Sequence, residues 1–461
     1  MSTDKRKLFG TDGIRGVAGH FPLDRATTTI IGVALGHYLR RKNKQAQVVI
    51  GEDTRESSRW IAECVGVGLA YAGVAAKNAG VITTPGVAFL ARTQDFDAGI
   101  VISASHNPWT DNGIKIFAHD GYKLSDSAEL EIEHEIFALV EKSGAAPPPA
   151  SALQDAAGLH TAYVDWLKQQ VNLRQMNRKM DEKTRRMKVV FDCANGAASQ
   201  IAAEVFGAVG CDAVFIHHAP NGRNINETCG ALHPELVARE VTLQHAELGV
   251  TFDGDADRVL FADHHGNVVN GDAVLLLTAH HLQSQGKLTG NVVVATTMSN
   301  MGLEIALQRA GIRMLRAPVG DKYVLEEMLK SGASLGGEQS GHIIFRDGDA
   351  TTGDGLLTAL RVLEIVVNSG KPLADLVSDL KVFPQIIKNV RVREKKPFSE
   401  IPNVAQTIAQ AESDLKGNGR VVVRYSGTES LARVMVEAES EEKTKEWTEA
   451  IATALQTTLG V

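Results

Sequence analysis

The sequence predicts an α/β protein: three similar mixed α/β domains plus a smaller C-terminal α+β domain, arranged around one central cleft. Three observations lead there. Short β-branched runs alternate with longer helical patterns through most of the 461 residues, as strands joined by crossover helices do. One strand-to-helix unit recurs three times. After each recurrence a second apolar segment ends in an unusual polar loop, at the strand end where open α/β sheets hold their ligands.

The first strands of the three units are read at 48–50, 189–191 and 292–294. Each runs into a polar turn of small residues, GEDTRESS, DCANGAAS and TTMSN, and then an amphipathic stretch. The second segments are GIVISASHNP at 99–108, LGVTFDGDADR at 248–258 and ASLGGEQSGH at 333–342. Domains are expected at 1–150, 158–258, 259–372 and 378–461. The segment 143–158, rich in Ala, Pro and Ser, reads as a connector. The charge run RKMDEKTRRMK at 178–188 reads as a solvated helix face or turn. After Pro372, strands at 386–393 and 421–424 flank helices with little sign of a parallel crossover, and an amphipathic helix runs from Glu441 to about Leu459.

Bulk properties narrow the function classes. Hydrophobic residues at 44% and charged residues at 22% give an ordinary globular balance. The net charge of −7 offers no reason to expect nucleic acid as a partner. Four scattered cysteines without a C-x-x-C pair suit a reducing compartment better than a disulfide framework or a zinc site. No apolar run has the length of a membrane span, and no apolar core follows the charged N-terminus. The expected location is the cytoplasm, with no membrane partner.

The acidic loop carries the strongest chemical signal. Asp253, Asp255 and Asp257 alternate with Gly254 and Ala256, so three carboxylates can turn one way while small residues allow a tight bend. Hard oxygen ligands without His or Cys favour Mg²⁺. An EF-hand is excluded, because Arg258 stands at its sixth position and His264 at its twelfth. Carboxylates this close repel one another unless a cation offsets them. Arg258, directly after them, is suited to a phosphate or a sugar hydroxyl.

In the serine loop, Ser103-Ala104-Ser105-His106-Asn107-Pro108 is also readable as a turn with an Asx-type hydrogen bond. Lys115, delivered near the same strand end by Asp111-Asn112-Gly113-Ile114, strengthens the chemical reading. A serine carrying phosphate, Mg²⁺ and a lysine for proton transfer would suffice for phosphoryl transfer. Lysine's ordinary pKa is ~10.4, so a lysine acting as base requires depression by cations or burial. Glu338, Ser340 and His342 suit hydroxyl recognition. Arg424, Ser426, Gly427, Thr428 and Arg433 form either a phosphate cradle or a hairpin turn. Arg15, between glycines, reads in isolation as part of a turn. The absence of a P-loop or a convincing Rossmann fingerprint gives no sign of nucleotide.

Taken in order, FGTDGIRG, VISASHNP, DNGIKIF, TFDGDADR, GGEQSGH and RYSGTE resemble the α-D-phosphohexomutase superfamily from Phe9 to about Glu437. FGTDGIRG, the alanine between the two serines and VGDKYVLE at 319–326 look like the branch that acts on glucosamine phosphates. The resemblance implies four domains in a heart-like arrangement. It also implies interconversion of glucosamine 6-phosphate and glucosamine 1-phosphate through a 1,6-bisphosphate, feeding UDP-N-acetylglucosamine and peptidoglycan precursors. Mannose or glucose phosphates are the alternative substrates. Ser105 matches the phosphorylated serine, and Ser105, Asp253, Asp255 and Asp257 match the Mg²⁺ ligands. His106 and Lys115 match residues that handle protons and orient phosphate, and Arg15 a phosphate contact. Arg258 lies beside the transferring group, Glu338, Ser340 and His342 match the sugar-recognition loop, and the five C-terminal residues match the loop for the substrate's other phosphate. A hexose or glucosamine 1,6-bisphosphate is the implied activator, and the expected assembly is a monomer or homodimer. Two positions depart from the family pattern: Ala256 replaces a glycine, and Ser430 a proline. Ala256 would strain the metal loop only if that residue needs a positive φ.

Overall fold

Each of the three expected first strands forms, and each becomes the centre of the same four-stranded arrangement. The computed structural model describes residues 6–10, 12–142, 153–156, 158–172, 176, 186–346, 348–426 and 430–461. The first sheet holds β1 (Phe9–Gly10), β2 (Gly13–Val17), β3 (Gln47–Glu52), β4 (Ala75–Val81), β5 (Ala98–Ile102), β6 (Asp111–Ala118) and β7 (Leu153–Asp155), in the order β1-β2-β6-β5-β3-β4-β7. The second holds β8 (Lys188–Asp192), β9 (Asp212–Ile216), β10 (Leu248–Phe252), β11 (Val259–Asp263) and β12 (Val268–Val269), in the order β12-β11-β10-β8-β9. The third holds β13 (Val292–Thr296), β14 (Arg313–Ala317), β15 (Leu335–Gly337) and β16 (Ile343–Phe345), in the order β14-β13-β15-β16.

The shared pattern decides where chemistry sits. In all three sheets the first strand pairs in parallel with the second and third, and a fourth returns antiparallel on the third. Parallel pairs need long crossovers, whereas an antiparallel pair closes through a short loop. That short loop, between third and fourth strands, carries in turn the serine, the aspartates and Glu338 with His342. Strands such as β5 and β10 are buried at every position, as strands covered on both faces must be.

Two expected boundaries shift. β11 and β12 continue the second sheet beyond residue 258, where sequence reading ends that domain. The motif stops at a hairpin turn, and the apolar VLFAD run after it is the return strand. Likewise Leu153–Asp155 pairs in parallel with β4, so the connector ends on the first sheet's edge. Residues 143–152, 157 and 178–185 of the two linking segments lie outside the described residues.

The last domain is antiparallel, with β17 (Gln385–Arg391), β18 (Gly419–Tyr425) and β19 (Leu431–Ala438) in the order β17-β19-β18. Its final helix spans Glu441–Leu459, capped by Ser440, whose side chain accepts from the Lys443 N–H. Acidic Glu441 and Glu442 in the first turn complement the helix dipole. The core beneath joins Val434 and Val436 to Ile451 and Leu455. This domain docks on the turn after β13: Arg420 donates to the carbonyls of Thr297 and Ser299 at 2.6 Å each and pairs with Glu437, which accepts the Met301 N–H. Among the described residues no helix is long and apolar enough to cross a membrane.

Candidate active site

Ser105 stands just past the end of β5, and its backbone is unusual, with φ of 52° in the left-handed region. A non-glycine residue persists there only when its surroundings impose it. They do so from two domains. The Ser105 carbonyl accepts from Arg55 Nη2 at 3.1 Å and from Asn226 Nδ2 at 2.9 Å, and the Asn107 carbonyl accepts from the same two groups. Arg55 is itself locked in a buried ion pair with Asp53, and Ser103 Oγ accepts the Ser105 N–H at 3.0 Å. The acidic loop presses directly on this turn. A Cβ on Gly254 would lie 2.5 Å from the Ser105 carbonyl oxygen, so only glycine fits.

The three aspartates converge as expected, with carboxylate oxygens within 4.8 Å of one another and all three side chains buried. Ser105 Oγ donates to Asp253 Oδ2 at 2.6 Å. Asp255 Oδ2 accepts from Thr84 Oγ1 at 2.5 Å and from Lys115 Nζ at 2.8 Å. Burial, followed by Asp257 and Asp255, pushes the Asp253 carboxyl well above the usual range. Asp255 Oδ1 and Asp257 Oδ1 are buried without any hydrogen-bond partner. Hard, mutually repelling oxygen donors with two unsatisfied atoms fit a divalent cation.

Ala256 meets the condition for strain, with φ of 54°. It is nonetheless wholly buried, with its N–H bonded to the Asp253 carbonyl and its carbonyl to the Gly355 N–H. A left-handed alanine costs ~1–2 kcal/mol, and burying its methyl returns about 0.8 kcal/mol. The two nearly cancel. Ala256→Gly should therefore change stability by less than about 1 kcal/mol, measured as thermal melting of the metal-free chain. A gain of the full ~2 kcal/mol would show that the methyl contributes nothing. At the other departure, Ser430 accepts the Val392 N–H on its carbonyl at 2.9 Å, which ties down the loop's exit.

Lys115 differs from the sequence expectation. A lysine acting as base requires a depressed pKa, but here the amine is raised well above its ordinary value. Burial opposes the charge, yet Asp12, Asp255 and Asp257 outweigh it, with Nζ at 3.0, 2.8 and 3.4 Å from their oxygens. The spacing of DNGIK gave no view of three carboxylates around one ammonium. His106 has the opposite character. Burial, followed by Arg258 and Arg15, pushes its imidazole down to about 4, and Nδ1 lies 3.2 Å from Ser105 Oγ. At neutral pH that ring is uncharged, and its Nδ1 can accept a hydrogen bond.

A cleft of about 600 Å³ opens over these groups, lined by Arg15, His106, Asp257, Arg258, Gly320, Glu338 and His342 among others. Arg258 Nη1 lies 3.4 Å from His106 Nδ1. Glu338 accepts the Gly320 N–H at 3.0 Å, and Ser340 Oγ lies 3.4 Å from its other oxygen. His342 Nε2 accepts the Gly353 N–H at 3.0 Å, which turns Nδ1 toward Asp257 at 3.7 Å. The C-terminal group stands apart. Arg424 and Arg433 face each other across β18 and β19, and burial followed by Arg433 lowers the Arg424 pKa. Like charges held opposite one another are unfavourable without an anion. Buried Ser426 accepts Lys395 Nζ on its carbonyl at 2.6 Å. None of these three lines the cleft, and Gly427 and Thr428 lie outside the described residues.

Sequence reasoning missed several supporting residues. Asp12 bridges Lys115, Lys123 and Arg15, and Lys123 reaches on to Asp321 of the third domain. Asp12 and Asp321 lie inside quoted motifs and were legible as charges near an arginine or lysine. Arg55 pairs with Asp53 inside the GEDTRESS turn, but the carbonyls it holds, like the partners of Thr84 and Asn226, are distant in sequence.

Family models for phosphoglucomutase/phosphomannomutase match in sequence: α/β/α domain I at 6–143, domain II at 161–266, domain III at 270–383 and the C-terminal domain at 387–454. A phosphoglucosamine mutase of Koribacter versatilis is 58% identical, covering 100% of this chain and 99% of its own length. One from Solibacter usitatus is 52% identical, covering 99% of each. Among solved structures, a putative phosphomannomutase from Thermus thermophilus superposes with a TM-score of 0.78 at 23% identity, covering 99% of this chain and 100% of that one. The N-acetylphosphoglucosamine mutase of Aspergillus fumigatus, in complex with GlcNAc-6P and magnesium, gives 0.66 at 19% identity, covering 99% and 96%.

Proposed function

We propose, for a chain that belongs to the phosphoglucomutase/phosphomannomutase family, a mutase reaction between glucosamine 6-phosphate and glucosamine 1-phosphate carried by a phosphoserine at Ser105. The carrying observation is the convergence of the Ser105 hydroxyl, three buried carboxylates and a lysine amine behind the cleft that His106 and Asp257 line. The hexosamine assignment rests on full-length identity to phosphoglucosamine mutases.

In the first step the free sugar hydroxyl attacks the phosphoryl group on Ser105. A sugar O–P bond forms and the serine O–P bond breaks. The hydroxyl proton passes to Ser105 Oγ as the serine O–P bond breaks, with His106 Nδ1 3.2 Å from that oxygen to orient it by a hydrogen bond. The product is glucosamine 1,6-bisphosphate. It turns within the cleft, its other phosphate returns to Ser105 by the reverse transfer, and no water is consumed. Arg15 and Arg258 face the transferring phosphoryl group, and the Lys115 amine, 2.8 Å from Asp255, stands beside the phosphoryl oxygens to orient them. Asp253, Asp255 and Asp257, with the serine's phosphate, would hold Mg²⁺, which when bound supplies charge neutralisation to the phosphoryl oxygens. Glu338, Ser340 and His342 recognise sugar hydroxyls. Arg424, Ser426, Gly427, Thr428 and Arg433 receive the distal phosphate when the last domain swings toward the cleft.

Kinetics on three sugars test the substrate. The kcat/KM for glucosamine 1-phosphate should exceed those for mannose and glucose 1-phosphate by at least roughly 100-fold. Equal turnover of mannose 1-phosphate would overturn the hexosamine assignment in favour of a phosphomannomutase/phosphoglucomutase.

A further inference from the structure

A second cluster of ligating side chains lies in the second domain, outside the cleft and its machinery. Asp192 ends β8, and His217 immediately follows β9, the strand beside it. Both therefore project from carboxyl ends of neighbouring parallel strands, where open α/β sheets place ligands. Cys229 arrives from the segment before Gly230, wholly buried like Asp192. One donor atom from each of the three lies within 4.8 Å of the others.

The internal contacts do not satisfy this cluster. His217 Nδ1 is 3.1 Å from Asp192 Oδ1, yet it is a buried nitrogen outside hydrogen-bonding geometry with any partner. Asp192 raises the pKa of that imidazole, so a proton set out of line holds the pair, and a divalent cation would take that proton's place. The Cys229 sulfur meets the Asn195 amide at 3.9 Å and the Asn226 backbone, both neutral and weak partners for a thiol. The donors are also held in place. Asp192 is fixed by the N–H groups of Ala194 and Gly230 at 2.9 and 3.0 Å, and His217 and Thr228 sit in left-handed backbone, at φ of 46° and 47°.

We propose that Asp192, His217 and Cys229 form a site for a thiophilic divalent cation of the zinc type, distinct from the all-oxygen trio at the cleft. One sulfur, one imidazole nitrogen and one carboxylate oxygen select such an ion over Mg²⁺. Tetrahedral bonds of ~2.0–2.3 Å place donors about 3.3–3.8 Å apart, so the cluster needs to close by little more than an ångström. On binding, the Cys229 S–H and His217 Nδ1–H bonds break, both protons leave to solvent, and sulfur–metal and nitrogen–metal bonds form. The half-exposed His217 ring leaves the fourth position to water. The ion would brace the segment that carries Asn226, whose amide holds the carbonyls of Ser105 and Asn107. Cysteine spacing could not show this site, because its ligands come from three separate segments.

Cobalt is the probe, because a thiolate bound to Co²⁺ gives a near-ultraviolet charge-transfer band that oxygen ligands do not. The full-length enzyme, kept in Mg²⁺, is titrated with Co²⁺. The expected result is one equivalent of band, absent in Cys229→Ser and weakened at least ~10-fold in affinity in His217→Gly. Glycine adopts the His217 backbone without strain, so that variant keeps its fold. Mutase turnover in Mg²⁺ alone checks both variants and should match the unmodified enzyme. A band absent from the unmodified chain, or one that survives Cys229→Ser, would overturn the proposal.

Discussion

Ser105→Ala is expected to lower mutase turnover by at least about three orders of magnitude while keeping the fold, with melting lowered by only a few degrees for the lost hydrogen bond to Asp253. The hydroxyl is the only atom lost, and the turn that presents it is held by carbonyl contacts from Arg55 and Asn226 that alanine retains. Alanine also tolerates the left-handed backbone as well as serine does. Turnover in a coupled assay, with circular dichroism as the fold check, separates the mechanisms. A metal-dependent phosphatase using water directly would still release inorganic phosphate in the variant. A sugar-phosphate binding protein would show no turnover to lose.

Asp253→Asn is expected to move two readouts in opposite directions. Burial, then Asp257 and Asp255, raise the Asp253 pKa well above its unfolded value. The native state thus binds this proton more tightly than the unfolded chain does. The metal-free protein loses stability as pH rises above the ordinary carboxylate pKa, until pH passes the raised value. Asparagine removes that charge and still accepts from Ser105 Oγ. The metal-free melting temperature should rise by a few degrees at neutral pH, with less dependence on pH. Activity should fall by roughly three orders of magnitude, since Mg²⁺ neutralisation of the phosphoryl oxygens is worth several kcal/mol. Thermal scans in a chelator and turnover in saturating Mg²⁺ measure the two effects. A variant that is both less stable without metal and fully active would contradict the assigned role of this carboxylate.

Much of the fold was legible because its period is local. The runs at 48–50, 189–191 and 292–294 all form first strands, and the terminal helix occupies Glu441–Leu459 as read. The three polar loops were found because chemistry-bearing residues interrupt apolar strands. What stayed hidden is non-local. VLFAD after the acidic loop belongs to the second sheet because it pairs back on β10, and nothing in its own composition says so. Lys115 read as a base until its three carboxylate neighbours were visible. Asn226 and Thr84, which fix the serine turn and Asp255 from across domain boundaries, lie in segments whose composition reads as ordinary loop. Ala256 could be flagged as a departure, but only its φ of 54° decides what the methyl costs.

The phosphoserine at Ser105 is tested most directly by peptide mass spectrometry of the purified chain after incubation with glucosamine 1,6-bisphosphate and Mg²⁺. One added phosphate is expected, located on Ser105 and discharged when glucosamine 1-phosphate is supplied. A chain that turns over substrate while Ser105 never carries phosphate would contradict the phosphoserine mechanism.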